Sequence, residues 1–199
     1  KLNCKVCQLV KLYKNGKPFK MSKRAGDFIS AQDLLNEVDK DPIRFMMLNR
    51  SNDVELDFDF DKVKEKTKDN PVFYVQYAYA RINSLHRALN INLNSKILLN
   101  EDNLQLNTNE EKIVKKIFEW PKVIESASKK FEIHKISFYL YDLSTLFHSY
   151  WSKGNDDKKY KFIENDKIKR VEILAIFNLV TIVIQNGMKI LGVSLPKKM

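Results

Sequence analysis

The stretch from Lys20 to Arg24 holds the side chains in this sequence that are best suited to phosphate chemistry. Two lysines flank Ser22, and Arg24 follows directly. Lysine ammonium groups are compact charges that attract phosphate oxygens, and a serine hydroxyl adds a neutral donor. The pattern predicts a cationic loop that reaches a polyphosphate. The alternative is an ordinary solvated turn, which is common in a lysine-rich protein.

A short hairpin is predicted to position this loop. Residues 6–13 have the composition of a short strand, and residues 14–18 contain Asn15-Gly16 and Pro18. Asn-Gly and Pro are strong turn signals between strands. The cationic loop would then follow a hairpin-like unit.

The composition allows one or two compact domains, because the chain has 199 residues and is 44% hydrophobic. The formal net charge is +10, with a pI of about 9.4. A basic surplus of this size indicates a polyanionic partner such as a nucleic acid. General lysine enrichment, which only keeps a protein soluble, is the alternative explanation.

Neither a metal site nor a membrane span is predicted. Cys4 and Cys7 form one C-x-x-C pair, whereas a structural zinc site needs four ligands, so both are predicted to be reduced residues in a strand. The uncharged run from Ile173 to Met188 is shorter than the ~18–20 residues of a membrane span and is predicted to be a buried helix. The chain begins at Lys1 without an apolar signal region, so we expect a cytoplasmic fragment.

Helical signals dominate after residue 30. Ser30 and Asp33 have the spacing of a capping box, and Asp41-Pro42 predicts a second helix start, with Asp as the N-cap. Leu56, Phe58 and Phe60 alternate with acids, which indicates a short strand or an extended spacer with its aromatic side chains turned inward. Further along we predict a loop over 90–108, a helix over 110–130 broken at Pro121, an apolar helix over 131–151 ended by 154–157, and a last helix over 166–191 closed by Gly192. Strand signals are confined to the first 20 residues and 54–60.

A longer helix is predicted from about Asp69, with Pro71 at its first position. Phe73, Tyr77 and Arg81 share one face at intervals of four residues, while a second face carries Tyr74, Ala78, Ile82 and Leu85. The second face is expected to be core. The first face is unusual because two aromatic residues lead to a cation, and either a domain seam or a binding surface would explain it.

Three separated segments resemble the arginyl-tRNA synthetases, a family of class I aminoacyl-tRNA synthetases. Lys20-Met21-Ser22-Lys23-Arg24 matches the KMSK signature, and the run continues in the arginyl pattern to Ile29. The run from Asp69 to Arg81 and the ending from Asn186 to Met199 also resemble that family. The resemblance is weakest over residues 90–109.

The resemblance implies roles for individual residues. In the complete enzyme the KMSK loop binds ATP, supplied with Mg²⁺, and neutralises charge as pyrophosphate leaves; Lys23 is the main candidate, with Lys20 and Ser22 in support. Met21 and Arg24 belong to the same ATP-binding loop, although many synthetases have serine at the position of Arg24. The HIGH-type motif and the arginine pocket are not in these residues, so the fragment is expected to bind tRNA but not to catalyse alone.

A second group of residues is implied to contact the tRNA. The C-terminal bundle resembles the DALR-type anticodon-binding domain, and Phe147, Trp151 and Met199 fall where that family meets the anticodon loop. Tyr74, Tyr77 and Arg81 fall in the helix that joins this domain to the catalytic part. Aromatic side chains suit this task because single-stranded bases stack on them while cations hold the backbone.

These observations predict a mainly α chain. Residues 1–68 would be a small α/β remnant of a class I catalytic domain, and residues 69–199 an α-helical anticodon-binding bundle. The expected function is that of the C-terminal part of an arginine–tRNA ligase, with arginine tRNA as partner, ATP and arginine as substrates of the complete enzyme, and a monomeric state. The alternatives are another class I synthetase of the cysteinyl type and a non-catalytic basic helical RNA-binding protein.

Overall fold

The structure is a computed structural model and describes residues 2, 4–19, 29–91, 105–157, 160–164 and 167–199. The KMSK loop and most of the predicted 90–108 loop lie outside these residues. The predictions made for these residues stay predictions.

A small sheet forms at the N-terminal end. Strand β1 (Val10–Lys14) pairs antiparallel with β2 (Lys17–Pro18) and parallel with β3 (Leu56–Asp59). Asn15 and Gly16 connect β1 to β2 with φ angles of 52° and 69°, the left-handed values that an Asn-Gly hairpin turn requires. The predicted hairpin is confirmed, but its first strand begins at Val10 rather than at residue 6.

The alternating segment is a strand whose apolar side faces inward. Leu56, Phe58 and Phe60 are buried and form a small cluster with Val38 and Val63. Period-two alternation places every second side chain on one face of a strand, which explains why the acids between them are outside. The inward aromatic side chains are confirmed, and the segment is a strand rather than a spacer.

Two short helices follow the predicted signals with one shift. Helix α1 (Ala31–Glu37) begins with the predicted capping box between Ser30 and Asp33. Helix α2 (Lys40–Leu48) begins at an Asp39 N-cap, so the predicted N-cap at Asp41 is wrong by two residues. Pro42 is accommodated because the N–H groups of the first helical turn have no partner within the helix.

Five longer helices form the bundle: α3 (Pro71–Ala88), α4 (Thr108–Phe118), α5 (Trp120–Lys130), α6 (His134–Asp156) and α7 (Val171–Leu191). The predicted break at Pro121 is confirmed, since α4 and α5 are separate and Pro121 lies in the first turn of α5. Gly192 ends α7 with φ of 67°, as predicted. The mainly α fold with a small N-terminal α/β part is confirmed.

One element was missed. A short hairpin of β4 (Ile163–Glu164) and β5 (Lys167–Ile168) precedes α7, which therefore begins five residues later than predicted. Two-residue strands have no detectable periodicity in a sequence. The packing of Phe162 against Trp151 and Phe177, which no local pattern encodes, fixes this segment.

Helix α7 packs against α3, α4 and α6 within the bundle. It is the one helix in the described residues that is long and apolar enough to cross a membrane. Its buried side chains, among them Phe177, Ile184 and Met188, belong to the bundle core, which confirms the predicted buried helix. Gly187 lets α6 approach closely, because a Cβ there would lie 2.7 Å from Leu140 Cδ2.

Helix α2 joins the two hydrophobic clusters. Its Phe45 is buried in the bundle core, whereas Met46 packs against the N-terminal cluster. Arg44 Nε donates a hydrogen bond to the Leu191 carbonyl at the end of α7, and the Ser194 hydroxyl bonds to the Asp41 carboxylate. The division into residues 1–68 and 69–199 stays a prediction.

Candidate functional site

A ladder of stacked side chains follows the unusual face of α3. The Phe73 and Tyr77 rings are stacked with centroids 5.7 Å apart and an interplanar angle of 14°. The Arg81 Cζ atom lies 4.3 Å from the centroid of the Tyr77 ring. Residues four apart on a helix are neighbours, so the spacing in the sequence produces this ladder directly. A guanidinium over a tyrosine face is a favourable cation–π arrangement.

Trp151 on α6 meets the end of this ladder. Its ring centroid lies 5.5 Å from Arg81 Cζ, and the neighbouring rings are Phe162 at 5.0 Å, Phe147 at 5.5 Å and Phe177 at 6.0 Å. Trp151 is half-buried as a result. The side chain therefore packs on the core and still reaches the surface.

An open cavity of about 400 Å³ lies where these side chains converge. Four residues predicted from the sequence line it together, namely Tyr77, Arg81, Trp151 and Met199. Met199 is 53% exposed at the rim. The remaining lining residues are Ala80, Ser84, Leu85, Ala88 and Ile163. Cavities of this size that combine apolar walls with a few polar groups are typical ligand sites.

Phe147 does not line the cavity. It is fully buried and packs against Trp151, Phe177 and His148. Phe147 and Trp151 share a face of α6, but that face turns into the core at Phe147 and emerges only near the helix end. Of these two predicted contacts with the anticodon loop, Trp151 lines the cavity, and Phe147 supports it from inside the bundle.

Tyr74 also lies outside the cavity. It is half-buried between α3 and α6, with ring centroids 5.3 Å from Tyr141 and 4.4 Å from His148. Burial raises the pKa of its phenol. Tyr74 thus contributes to the contact between the two helices.

His148 is the site residue that the sequence did not reveal. It is 6% exposed, with Nε2 3.0 Å from the Tyr74 carbonyl oxygen and Nδ1 3.3 Å from Arg81 Nη1. Burial lowers the pKa of His148 to about 4, and the charge of Arg81 acts in the same direction. Its place three residues before Trp151 was visible in the sequence, but its partners depend on how α3 packs against α6.

Other predicted residues are placed as follows. Lys20, Met21, Ser22, Lys23 and Arg24 lie outside the described residues, and their roles remain predictions. Cys4 and Cys7 are free, exposed and precede β1, so their predicted position in a strand is wrong. Within the described ranges, no group of three or more His, Cys, Asp or Glu side chains is arranged to hold a metal ion.

Comparison with known proteins identifies relatives. The DALR anticodon binding domain family matches residues 75–199. The arginine–tRNA ligase of Pelagibacter ubique is 54% identical over 199 residues, which are 100% of this chain and 34% of that protein. The corresponding protein of Rhizobium meliloti is 45% identical over 206 residues, with 100% and 35% covered. The chain therefore spans about a third of the length of the curated relatives it matches.

Solved structures are similar over nearly the whole chain. A Campylobacter jejuni protein described as an arginyl-tRNA synthetase has a TM-score of 0.80 and 26% identity, covering 97% of this chain and 40% of that one. The Thermus thermophilus arginyl-tRNA synthetase has a TM-score of 0.67 and 20% identity, with 97% and 35% covered. At 20% identity, the similarity to the Thermus thermophilus structure shows the fold alone.

Proposed function

Because the chain belongs to the DALR anticodon binding domain family, we propose that it is the tRNA-binding portion of an arginine–tRNA ligase. The single observation that carries this proposal is the convergence of Tyr77, Arg81, Trp151 and Met199 on one cavity. Three different elements of the fold supply these side chains. A base of the anticodon loop enters the cavity, where it meets the guanidinium of Arg81 and the accessible part of Trp151.

The physical chemistry of the cavity suits a single-stranded base. Aromatic rings and guanidinium planes offer flat surfaces on which any base can stack. The Arg81 guanidinium also presents N–H groups to base edges or phosphate oxygens. The net charge of +10 favours a polyanionic partner over the whole surface.

The parent reaction belongs to the same proposal. The complete enzyme would join arginine to its tRNA through an arginyl-adenylate, with ATP and Mg²⁺, and Lys23 would stabilise charge on the phosphates, with Lys20, Ser22 and the rest of the KMSK loop in support. The names of the relatives favour arginine over the cysteinyl alternative. A cytoplasmic location and a monomeric state are part of this proposal and rest on the resemblance to translation enzymes. The 199-residue chain by itself binds tRNA without activating arginine.

A binding titration tests the proposal. The purified chain is titrated with labelled arginine tRNA and with a non-cognate tRNA between about 50 and 200 mM salt. We expect preferential binding of arginine tRNA, with affinity falling as salt rises because phosphate contacts release counterions. Equal affinity for both tRNAs would contradict specificity for arginine tRNA. An affinity that does not change across the salt range would contradict the electrostatic contribution to binding.

A matched pair of variants locates the site. Trp151→Ala should weaken binding by roughly 1–3 kcal/mol, the range for one stacked base. Phe138→Ala is the control, since Phe138 is an aromatic residue of the same helix that is 46% exposed and about 20 Å away at 1.5 Å per residue. Trp151 also packs on Phe162 and Phe177, so binding is measured well below the melting temperature of each variant. Equal effects of the two variants would remove Trp151 from the interface.

A further inference from the structure

We propose that His148 is a positioning residue that fixes the guanidinium of Arg81 in the cavity, and this inference rests on the proposed function. The argument starts from the hydrogen bonds of the imidazole. Nε2 lies 3.0 Å from the Tyr74 carbonyl oxygen, which can only accept. Nε2 therefore carries the proton, an assignment that follows from the hydrogen-bond network.

The other ring nitrogen is then an acceptor. A neutral imidazole has one N–H, so Nδ1 presents a lone pair, and it faces Arg81 Nη1 at 3.3 Å. A charged imidazole would place an N–H against a guanidinium N–H and two positive charges side by side. The lowered pKa of His148 agrees with the neutral form at physiological pH. His148 thus ties the backbone of α3 at Tyr74 to the side chain of Arg81, about two turns further along the same helix.

Arg81 depends on this contact because the described part of the chain provides it with little else. Within those residues its one hydrogen-bond acceptor is His148 Nδ1, and none of the ion pairs formed there includes Arg81. Its other contacts are the faces of Tyr77 and Trp151, which allow a guanidinium to slide or rotate. One directional bond therefore sets the plane of the guanidinium.

The orientation matters for recognition. Arg81 lies against both Tyr77 and Trp151, so a base that enters the cavity stacks on a layer that contains the guanidinium. A fixed plane keeps the free N–H groups directed at the ligand and reduces the ordering cost of binding. A guanidinium that pivots on Tyr77 would have to be ordered each time a base binds.

Two amide substitutions separate the two bonds of His148. In His148→Asn the side-chain oxygen lies about where Nδ1 lies and can still accept from Arg81. In His148→Gln the longer side chain brings its amide nitrogen to about the position of Nε2, so the bond to Tyr74 can persist while the acceptor for Arg81 is lost. We expect His148→Asn to bind arginine tRNA within about threefold of the unsubstituted chain and His148→Gln to bind about tenfold more weakly, the scale of one hydrogen bond to a charged group.

A double-variant cycle completes the binding test. In an Arg81→Lys background the planar fork is absent, so His148→Gln should cause no further loss of affinity. Equal losses in the two His148 variants, no loss in either, or a full additional loss in the Arg81→Lys background would each overturn the proposal.

A measurement without RNA keeps the inference separate from the proposed function. Side-chain NMR signals of Arg81 N–H groups should be resolved and slowly exchanging in the unsubstituted chain and in His148→Asn, and averaged in His148→Gln. Similar Arg81 signals in all three proteins would overturn the positioning role. Failure of the unsubstituted chain to bind tRNA, with the NMR difference present, would overturn the proposed function and leave the geometry of Arg81 supported.

Discussion

Acid should destabilise this fold through His148, and the structure sets the size of the effect. Burial lowers the pKa of His148 to about 4, from an ordinary value of 6.5. Above pH 6.5 the imidazole is neutral in both the folded and the unfolded chain. Between pH 6.5 and 4 the unfolded chain binds a proton that the folded chain does not, so the free energy of unfolding falls as the pH falls.

The magnitude follows from the difference between the two pKa values. A difference of about 2.5, from 6.5 minus 4, corresponds to about 3 kcal/mol at 1.36 kcal/mol per unit. Solvent screens the charge of a protonated His148 only weakly, because the side chain is only 6% exposed. The groups that face the ring are Arg81, Tyr74 and Tyr77, of which Arg81 is charged throughout this pH range. Three kilocalories are a large part of the 5–15 kcal/mol by which domains are stable.

The assay compares the unsubstituted chain with His148→Asn. Urea unfolding of both proteins is followed by circular dichroism at several pH values from 7 to 4. Carboxylates titrate in both proteins, and so does His86, whose pKa burial also lowers, so their effects cancel in the difference. The stability advantage of the unsubstituted chain should shrink by about 3 kcal/mol over this range. Parallel curves for the two proteins would refute the buried neutral imidazole.

Two further predictions concern other parts of the molecule. In the complete enzyme, Lys23→Ala should slow arginine activation by ~10²–10³, the scale of one strong electrostatic contact, and an unchanged rate of ATP–pyrophosphate exchange would remove Lys23 from the mechanism. Gly187→Ala should destabilise the bundle by about 1–2 kcal/mol, because the added Cβ would lie 2.7 Å from Leu140 Cδ2 and this overpacking outweighs the ~1 kcal/mol that alanine gains over glycine inside a helix; an unchanged urea midpoint would show that the two helices can move apart at little cost.

Local patterns predicted the parts of the fold that local physics determines. The capping box of Ser30 and Asp33, the break at Pro121 and the closing Gly192 depend on the backbone within one turn, and all three are confirmed. The ladder from Phe73 to Arg81 also follows from helical spacing alone.

The features that the sequence did not reveal depend on packing between distant elements. Phe147 is buried, whereas Trp151 reaches the surface near the end of α6. Their spacing of four residues places both on one face of the helix but does not show where that face leaves the core. His148 belongs to the site because its two ring nitrogens contact the Tyr74 carbonyl and the Arg81 guanidinium, both of which α3 supplies. The β4–β5 hairpin is held in place because Phe162, just before it, packs into an aromatic cluster built by α6 and α7.

The contact between α2 and the end of α7 has a consequence for synthesis on the ribosome. Arg44 and Leu191 are 147 residues apart, and Asp41 and Ser194 are 153 residues apart. At ~5–20 residues per second, α2 leaves the ribosome roughly 7–30 s before its partner exists. During that interval the bundle core that buries Phe45 lacks the side chains of α7. The N-terminal cluster, whose buried side chains come from residues 38–63, can form early, whereas Phe45 on α2 stays incompletely covered and open to chaperones until α7 is made.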